Sequence, residues 1–230
     1  MRAVKLSALT LSVVAVLMLT NPAQAAWTLY GPMPYLSFAD SPFTGAGLDY
    51  FYLEDFEDGL LNTPGVTASA GFSTKPTWPA SVTDSVDGDD GVIDGFGNNG
   101  NSWFAADGAT GVTFTFNPVV LGGFPTQVGI VWTDGTNPVM FQVYDGSNNF
   151  LASVTAYSIA DGVYTGTTAE DRFFGMEYSG GIGKIILSNG SSGIEMDHLQ
   201  YGGVIPAPGA VILAGIGAAV VGLLRRRHML

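Results

Sequence analysis

Carboxylates gather at three places along this chain, and the first two gatherings suggest cation chemistry. The first is Glu54-Asp55-Phe56-Glu57-Asp58-Gly59. On a strand over 50–57, Phe51, Leu53, Asp55 and Glu57 would share one face. Two carboxylates among apolar residues are costly to bury without compensation, and a hard cation such as Ca²⁺, which takes oxygen ligands, supplies it. The second runs from Asp84 through Asp87, Asp89 and Asp90 to Asp94, five carboxylates within eleven residues with glycines between them. A bound calcium and a solvated acidic loop fit this spacing equally, and the terminal Glu of an EF-hand is missing. The third is Ile194-Glu195-Met196-Asp197-His198-Leu199-Gln200-Tyr201. A strand there would turn Glu195, Asp197 and Leu199 one way and Met196, His198 and Gln200 the other. The metal ligands expected from the first two clusters are Asp55 and Glu57, with Asp87, Asp89 and Asp94 as the second set.

Catalysis finds less support. Between the two ends of the chain His198 is the one histidine, and no G-x-S-x-G elbow accompanies it. No catalytic residue is assigned. Trp78 and Trp103 fall in stretches read as loops and are candidate glycan contacts, because an aromatic face packs on the apolar face of a sugar ring. Trp132 reads as core.

The elements that must hold these residues read as β throughout. Val112-Thr113-Phe114-Thr115-Phe116 alternates with period two. Residues 126–133 carry a nearly continuous apolar run, as in a strand covered on both faces. Similar short runs occupy 139–144, 150–157, 173–178 and 182–188. Asp134-Gly135, Asp145-Gly146, Asp161-Gly162 and Asn189-Gly190 punctuate them as turns. Asp145-Gly146-Ser147-Asn148 predicts a hairpin. Segment 61–82, with Pro64, Pro76 and Pro79, reads as a long loop or an irregular edge strand. About ten short strands over residues 26–203 predict an all-β, jelly-roll-like β-sandwich.

The two ends carry addresses. Arg2 and Lys5, an apolar stretch, and Ala23-Gln24-Ala25 predict a signal peptide over 1–25, cut by signal peptidase. At the other end, over 204–230, Pro206-Ala207-Pro208 precedes an apolar run from Ala210 to Leu224 and then Arg225-Arg226-Arg227. The run predicts a transmembrane helix with the arginines cytoplasmic. Of 230 residues, 8 are basic and 20 acidic. Five of the basic residues lie in the two ends. Lys75, Arg172 and Lys184 remain against all 20 acids, a formal charge of −17 between the ends. That balance excludes nucleic acid as a partner. The absence of cysteine excludes disulfides, Cys-ligated zinc and a thiol nucleophile.

The proline motif, apolar run and arginine cluster in that order resemble the PEP-CTERM sorting tail of Gram-negative bacteria, with Ala207 in place of the central Glu. The resemblance implies an exosortase partner, a stay at the inner membrane before sorting, and a final place on the cell surface or in the extracellular matrix. Asp55-Phe56-Glu57-Asp58-Gly59 together with Ile194-x-x-Asp197-x-Leu199-x-Tyr201-Gly202 resembles carbohydrate-binding-module-like jelly-rolls. That resemblance implies adjacent first and last strands, with Glu57, Asp197 and Asp55 on a structural Ca²⁺. The functional expectation is a non-enzymatic structural or adhesion-type surface protein associated with extracellular polysaccharide. A carbohydrate-binding module is the alternative. Glu195-x-Asp197-x-x-Gln200 is similar to the catalytic strand of laminarinase-like glycosidases, but Gln200 stands where the acid/base Glu belongs. A Gln cannot trade that proton, so a glycoside hydrolase-like enzyme is the weakest alternative.

Overall fold

A computed structural model describes residues 25–74, 83–86, 97, 100–164 and 166–205. The expected signal peptide falls almost wholly outside them, as do Trp78, Asp87, Asp89, Asp94 and the sorting tail from Pro206 to Arg227. Among the described residues no helix is long and apolar enough to cross a membrane.

Two antiparallel sheets form a sandwich. One sheet holds β3 (Val66–Ala68), β6 (Val112–Phe116), β11 (Ile182–Ser188), β8 (Val139–Asp145) and β9 (Phe150–Ala156), paired in that order. The other runs β1 (Trp27–Pro34), β10 (Arg172–Tyr178), β7 (Gln127–Asp134), β12 (Ile194–Gly203), β5 (Trp103–Ala105) and β4 (Phe72–Ser73). β2 (Tyr50–Glu54) joins this second sheet beside β12, further along from β5. From β6 onward the chain crosses repeatedly between the sheets, in agreement with the expected jelly-roll-like winding.

The strands form where alternation was read. In β6, Val112, Phe114 and Phe116 are buried while Thr113 and Thr115 face outward. β7 is buried on both faces, as its continuous apolar run implies. The Asp145 turn joins β8 to β9. Its carboxylate accepts from Ser147 N at 2.9 Å and Asn149 N at 2.8 Å, and Asn148 takes a left-handed φ of 65°. Segment 61–82 contributes two short strands, β3 and β4, each at an edge of its sheet. A single helical turn, α1 (Pro118–Leu121), is capped by the Asn117 side chain.

The core lies between the sheets. Ile130, Trp132, Phe174, Met196 and Tyr201 meet Phe114, Phe141, Ile185 and Leu187. A smaller apolar cluster sits on the outer face of the seven-stranded sheet, where Tyr35, Phe43 and Val86 cover Val131 and Phe173. Register partners Gly129 and Gly175 make room for it. A Cβ on Gly129 would come within 2.2 Å of the Phe173 ring.

Candidate functional site: an acidic hollow at one end of the sandwich

Two irregularities in β12 decide where the acids go. At its start Glu195 pairs with Asp134 and Met196 with Trp132, so Thr133 is an extra residue on β7. Such a bulge turns Thr133 and Asp134 toward the side that Glu195 occupies. Further along, the register skips between Asp197 and Gln200, and His198 adopts a φ of 44°. This reverses the parity of the strand. Leu199 therefore packs in the core with Met196, and does not share a face with Glu195 and Asp197 as simple alternation predicts.

The expected metal ligands are only partly brought together. β2 ends at Glu54, because Phe56 takes a left-handed φ of 58° and drops its ring into the core. Asp55 and Glu57 consequently do not lie on a strand face. They line a shallow hollow with His198, Leu53 and Phe38. Asp197 is buried, its two oxygens accepting from Val86 N at 2.9 Å and from its neighbour His198 N at 2.6 Å. Among the described residues no three Asp, Glu, His or Cys side chains are arranged to hold a metal ion. The buried acid of the first cluster is Glu54. It accepts from Phe56 N, Asn62 N, Thr63 N and the Thr63 hydroxyl, and so acts as a clamp on the following turn.

Trp103 is a correction. It lies in β5 rather than a loop, is 9% exposed, stacks on Phe56 and donates to Ala70 O at 3.0 Å. It is a core residue and offers no face to a sugar. Among the described residues the tryptophan that stands open is Trp27, 57% exposed at the edge strand β1. His198 is likewise structural. Its Nδ1 lies 2.8 Å from the Tyr35 hydroxyl, which accepts from Gln200 Nε2 at 2.9 Å.

A more open feature lies at the end of the sandwich where β7 passes to β8, β9 to β10 and β11 to β12. There a hollow of about 390 Å³ is lined by Asp134, Glu195, Phe104, Tyr164, Thr74 and Thr136, among others. Its rim is tied together. Thr136 Oγ1 donates to Ser191 O at 2.8 Å and accepts from Ser191 N at 2.9 Å. Asp161 N donates to Glu170 Oε2 at 2.7 Å, which anchors the loop carrying Tyr164. Tyr164 itself is 67% exposed.

The floor of the hollow is acidic. Glu195 is 4% exposed, and its Oε1 accepts from Asp84 N at 3.0 Å and from the Ser102 hydroxyl. Burial pushes the Glu195 carboxyl up to about 8, against the pull of those two hydrogen bonds. Burial raises Asp134 to about 6, opposed by the N–H of Gly135. Glu170 rises to about 8, again mainly through burial. Behind them Asp84 is fully buried and neither of its carboxyl oxygens has a hydrogen-bond partner. Burial, then repulsion from Glu195, Asp134, Glu170 and Asp161, lifts it to about 10.

No family model and no curated protein matches the chain. Solved structures similar to it include the cleaved adhesin domain of Lys-gingipain from Porphyromonas gingivalis, 14% identical over 67% of this chain and 98% of that one, with a TM-score of 0.41. A xylan-binding domain of family 22 is 13% identical over 70% of this chain and 98% of that one, with a TM-score of 0.31. The C-terminal family 22 carbohydrate-binding module from Clostridium thermocellum is 15% identical over 69% of this chain and 96% of that one, with a TM-score of 0.30. Likeness at this level argues for no ligand and no activity.

The hollow's chemistry follows from its residues. Carboxylates accept hydrogen bonds and threonine hydroxyls accept and donate them, while Tyr164 and Phe104 offer apolar ring faces. Sequence reasoning singled out Glu195 as part of an acidic strand and of a Glu-x-Asp-x-x-Gln pattern similar to that of glycosidases, not as the floor of a hollow. It read Asp134-Gly135 and Asp161-Gly162 as turn punctuation. The signal that could have found the site was the recurrence of Asp-Gly or Asn-Gly (Asp134-Gly135, Asp161-Gly162, Asn189-Gly190) at the three connections that the sandwich brings to one end.

Proposed function

We propose that this chain is an exported, non-enzymatic, adhesion-type surface protein that binds extracellular polysaccharide through the hollow floored by Asp134 and Glu195. The observation that carries the reading is the exposed Tyr164 beside buried carboxylates in one concave site. Sugar-binding sites combine these two elements: an aromatic platform for ring C–H groups and fixed acceptors for hydroxyls. The export and sorting parts rest on sequence alone, on the resemblance of Pro206-Ala207-Pro208 and Arg225-Arg226-Arg227 to an exosortase-read tail. The membrane helix belongs to that part of the proposal, and an intact mass of the cell-surface form ending well short of Leu230 would support it.

A glycan array tests the binding. Bound polysaccharide should be lost in Tyr164→Ala and Asp134→Asn with the fold unchanged by circular dichroism. Equal binding by both variants would place recognition elsewhere, with the exposed Trp27 the next candidate. Incubation with the bound glycan should release no new reducing ends. A structural Ca²⁺ on Asp87, Asp89 and Asp94, which lie outside the described residues, remains part of the proposal. A ligand held by the native state alone raises its melting temperature. Identical melting curves in excess calcium and in EGTA remove the ion.

A further inference from the structure

The hollow carries carboxyl groups that no described basic side chain answers. Asp134 and Glu195 line it, and among the described residues no Lys, Arg or His does. Both hydrogen bonds to Glu195 use Oε1, which leaves Oε2 for a ligand. Asp84 lies directly behind, with its backbone N–H on Glu195 and both carboxyl oxygens buried and unpartnered. Glu170, under the Tyr164 loop, has Oε2 taken by Asp161 N and a buried Oε1 with no partner. Thr83 and Thr133 add two more buried hydroxyls without partners. Every one of these groups can accept a hydrogen bond.

The described basic side chains are engaged elsewhere. Arg172 donates through Nη1 to the carbonyls of Ala169 and Asp171, and Lys184 sits over the Tyr144 ring on the other sheet. Among the described residues, then, no basic side chain lines the hollow; Arg172 acts on Glu170 beneath the Tyr164 loop.

The arrangement distinguishes between cations. Calcium needs six to eight oxygens closing at about 2.3–2.6 Å, and no three described acidic side chains are gathered that way. An ammonium asks less. It has three N–H donors, which separate acceptors can share at ordinary hydrogen-bond distance. Asp134, Glu195 and the hydroxyls of Thr74 and Thr136 offer such separated acceptors around one hollow. Tyr164 and Phe104 line the same hollow, so the ammonium should be attached to a ring with an apolar face.

We propose that the hollow selects glycans bearing a free amine, namely de-N-acetylated hexosamine units, with the ammonium held by Asp134 and Glu195 and the sugar ring against Tyr164 or Phe104. This rests on the glycan-binding reading and names its substrate class. Acetylation removes the charge and leaves a single N–H donor, so the acetylated sugar should lose roughly tenfold or more in affinity.

The test is calorimetric titration of the full-length chain with three oligosaccharides of equal length: glucosamine oligomers, their N-acetylated counterparts and a neutral β-glucan oligomer. The glucosamine oligomer should bind at least about tenfold tighter than the other two. Asp134→Asn and Glu195→Gln should erase that preference; if Glu195→Gln does not fold, Asp134→Asn alone decides. Equal or tighter binding of the acetylated or neutral oligomer overturns the amine preference and leaves the glycan reading intact. Unchanged preference in Asp134→Asn overturns it too, because general attraction by the acidic domain would then suffice. Spermidine binding as tightly as the glucosamine oligomer means charge alone, and calcium displacing the oligomer at constant ionic strength means a metal site; either result overturns it. If none of the three oligomers binds, both the preference and the glycan reading fall.

Discussion

The two faces of the seven-stranded sheet solve the same problem in opposite ways. The inner face presents Ile130, Trp132, Met196, Leu199 and Tyr201 to the other sheet and is apolar almost throughout. The outer face carries an apolar patch around Phe173, but otherwise buries Asp84, Asp171, Glu195, Asp197, His198 and Gln200. Non-directional burial holds the inner face, roughly in proportion to area. The outer face depends on individual hydrogen bonds, each of which must find its partner. A protein that needed only a stable sandwich would have no use for the second arrangement. Its cost in buried carboxylates is the mark of a face kept for something else.

The largest effect belongs to the inner face. Phe114→Ala removes a fully buried ring at the centre of the core and should cost about 3–5 kcal/mol in urea unfolding. A loss below about 1 kcal/mol would mean that the faces are not divided as described.

The outer face should respond to pH instead. Glu195 rises from 4.5 to about 8, and Asp134 from 3.8 to about 6. A carboxyl with a raised folded-state pKa binds its proton more tightly when folded. The native state therefore holds more protons than the unfolded chain through this window, and stability must fall as pH rises. The stabilisation is complete below about pH 4 and is lost on the way up to about pH 8. Glu195 alone should contribute a slope of roughly 1.4 kcal/mol per pH unit. Glu195→Gln should flatten the melting temperature between pH 5 and 8, whereas Phe114→Ala should lower the curve without changing its shape. Parallel curves for wild type and Glu195→Gln would remove Glu195 from the account.

The same division explains what could be read in the sequence. Alternation in 112–116 and the continuous run in 126–133 specify β6 and β7 because inner-face burial writes itself as periodicity. Asp145-Gly146-Ser147-Asn148 specifies its hairpin because the turn's hydrogen bonds are local. The outer face has no such signature. Whether Leu199 faces the core depends on a bulge at His198 that one residue of slippage creates, and period-two counting cannot foresee it. Trp103 looked like a loop residue because β5 is three residues long and its partner strands lie far along the chain. Asp134, Asp161 and Glu195 meet only because three connections end at one rim. Nothing in their local spacing records that.

A smaller effect separates a polar link from a packing contact. Tyr35→Phe keeps the ring that stacks on Phe173 and removes the hydroxyl between His198 and Gln200. Left without that partner, the buried side chains should cost about 1–3 kcal/mol. Tyr35→Leu, which removes the hydroxyl and the stacking ring together, should cost more. Equal losses in the two variants would assign Tyr35 to packing alone and make the outer face resemble the inner one.

The smallest effect on stability should accompany the largest effect on binding. Tyr164 is exposed and its loop is held by Asp161 and Glu170 rather than by its own ring. Tyr164→Ala should therefore change unfolding free energy by no more than about 0.5 kcal/mol, the usual range for a surface substitution. The same change removes an aromatic platform of the hollow and should abolish detectable glycan binding. A residue that matters to ligand and not to fold is what a binding face requires, and inner-face residues cannot behave that way. Should Tyr164→Ala bind glycan as well as wild type, the hollow would be a by-product of three converging turns, and its buried acids would need another explanation than a sugar.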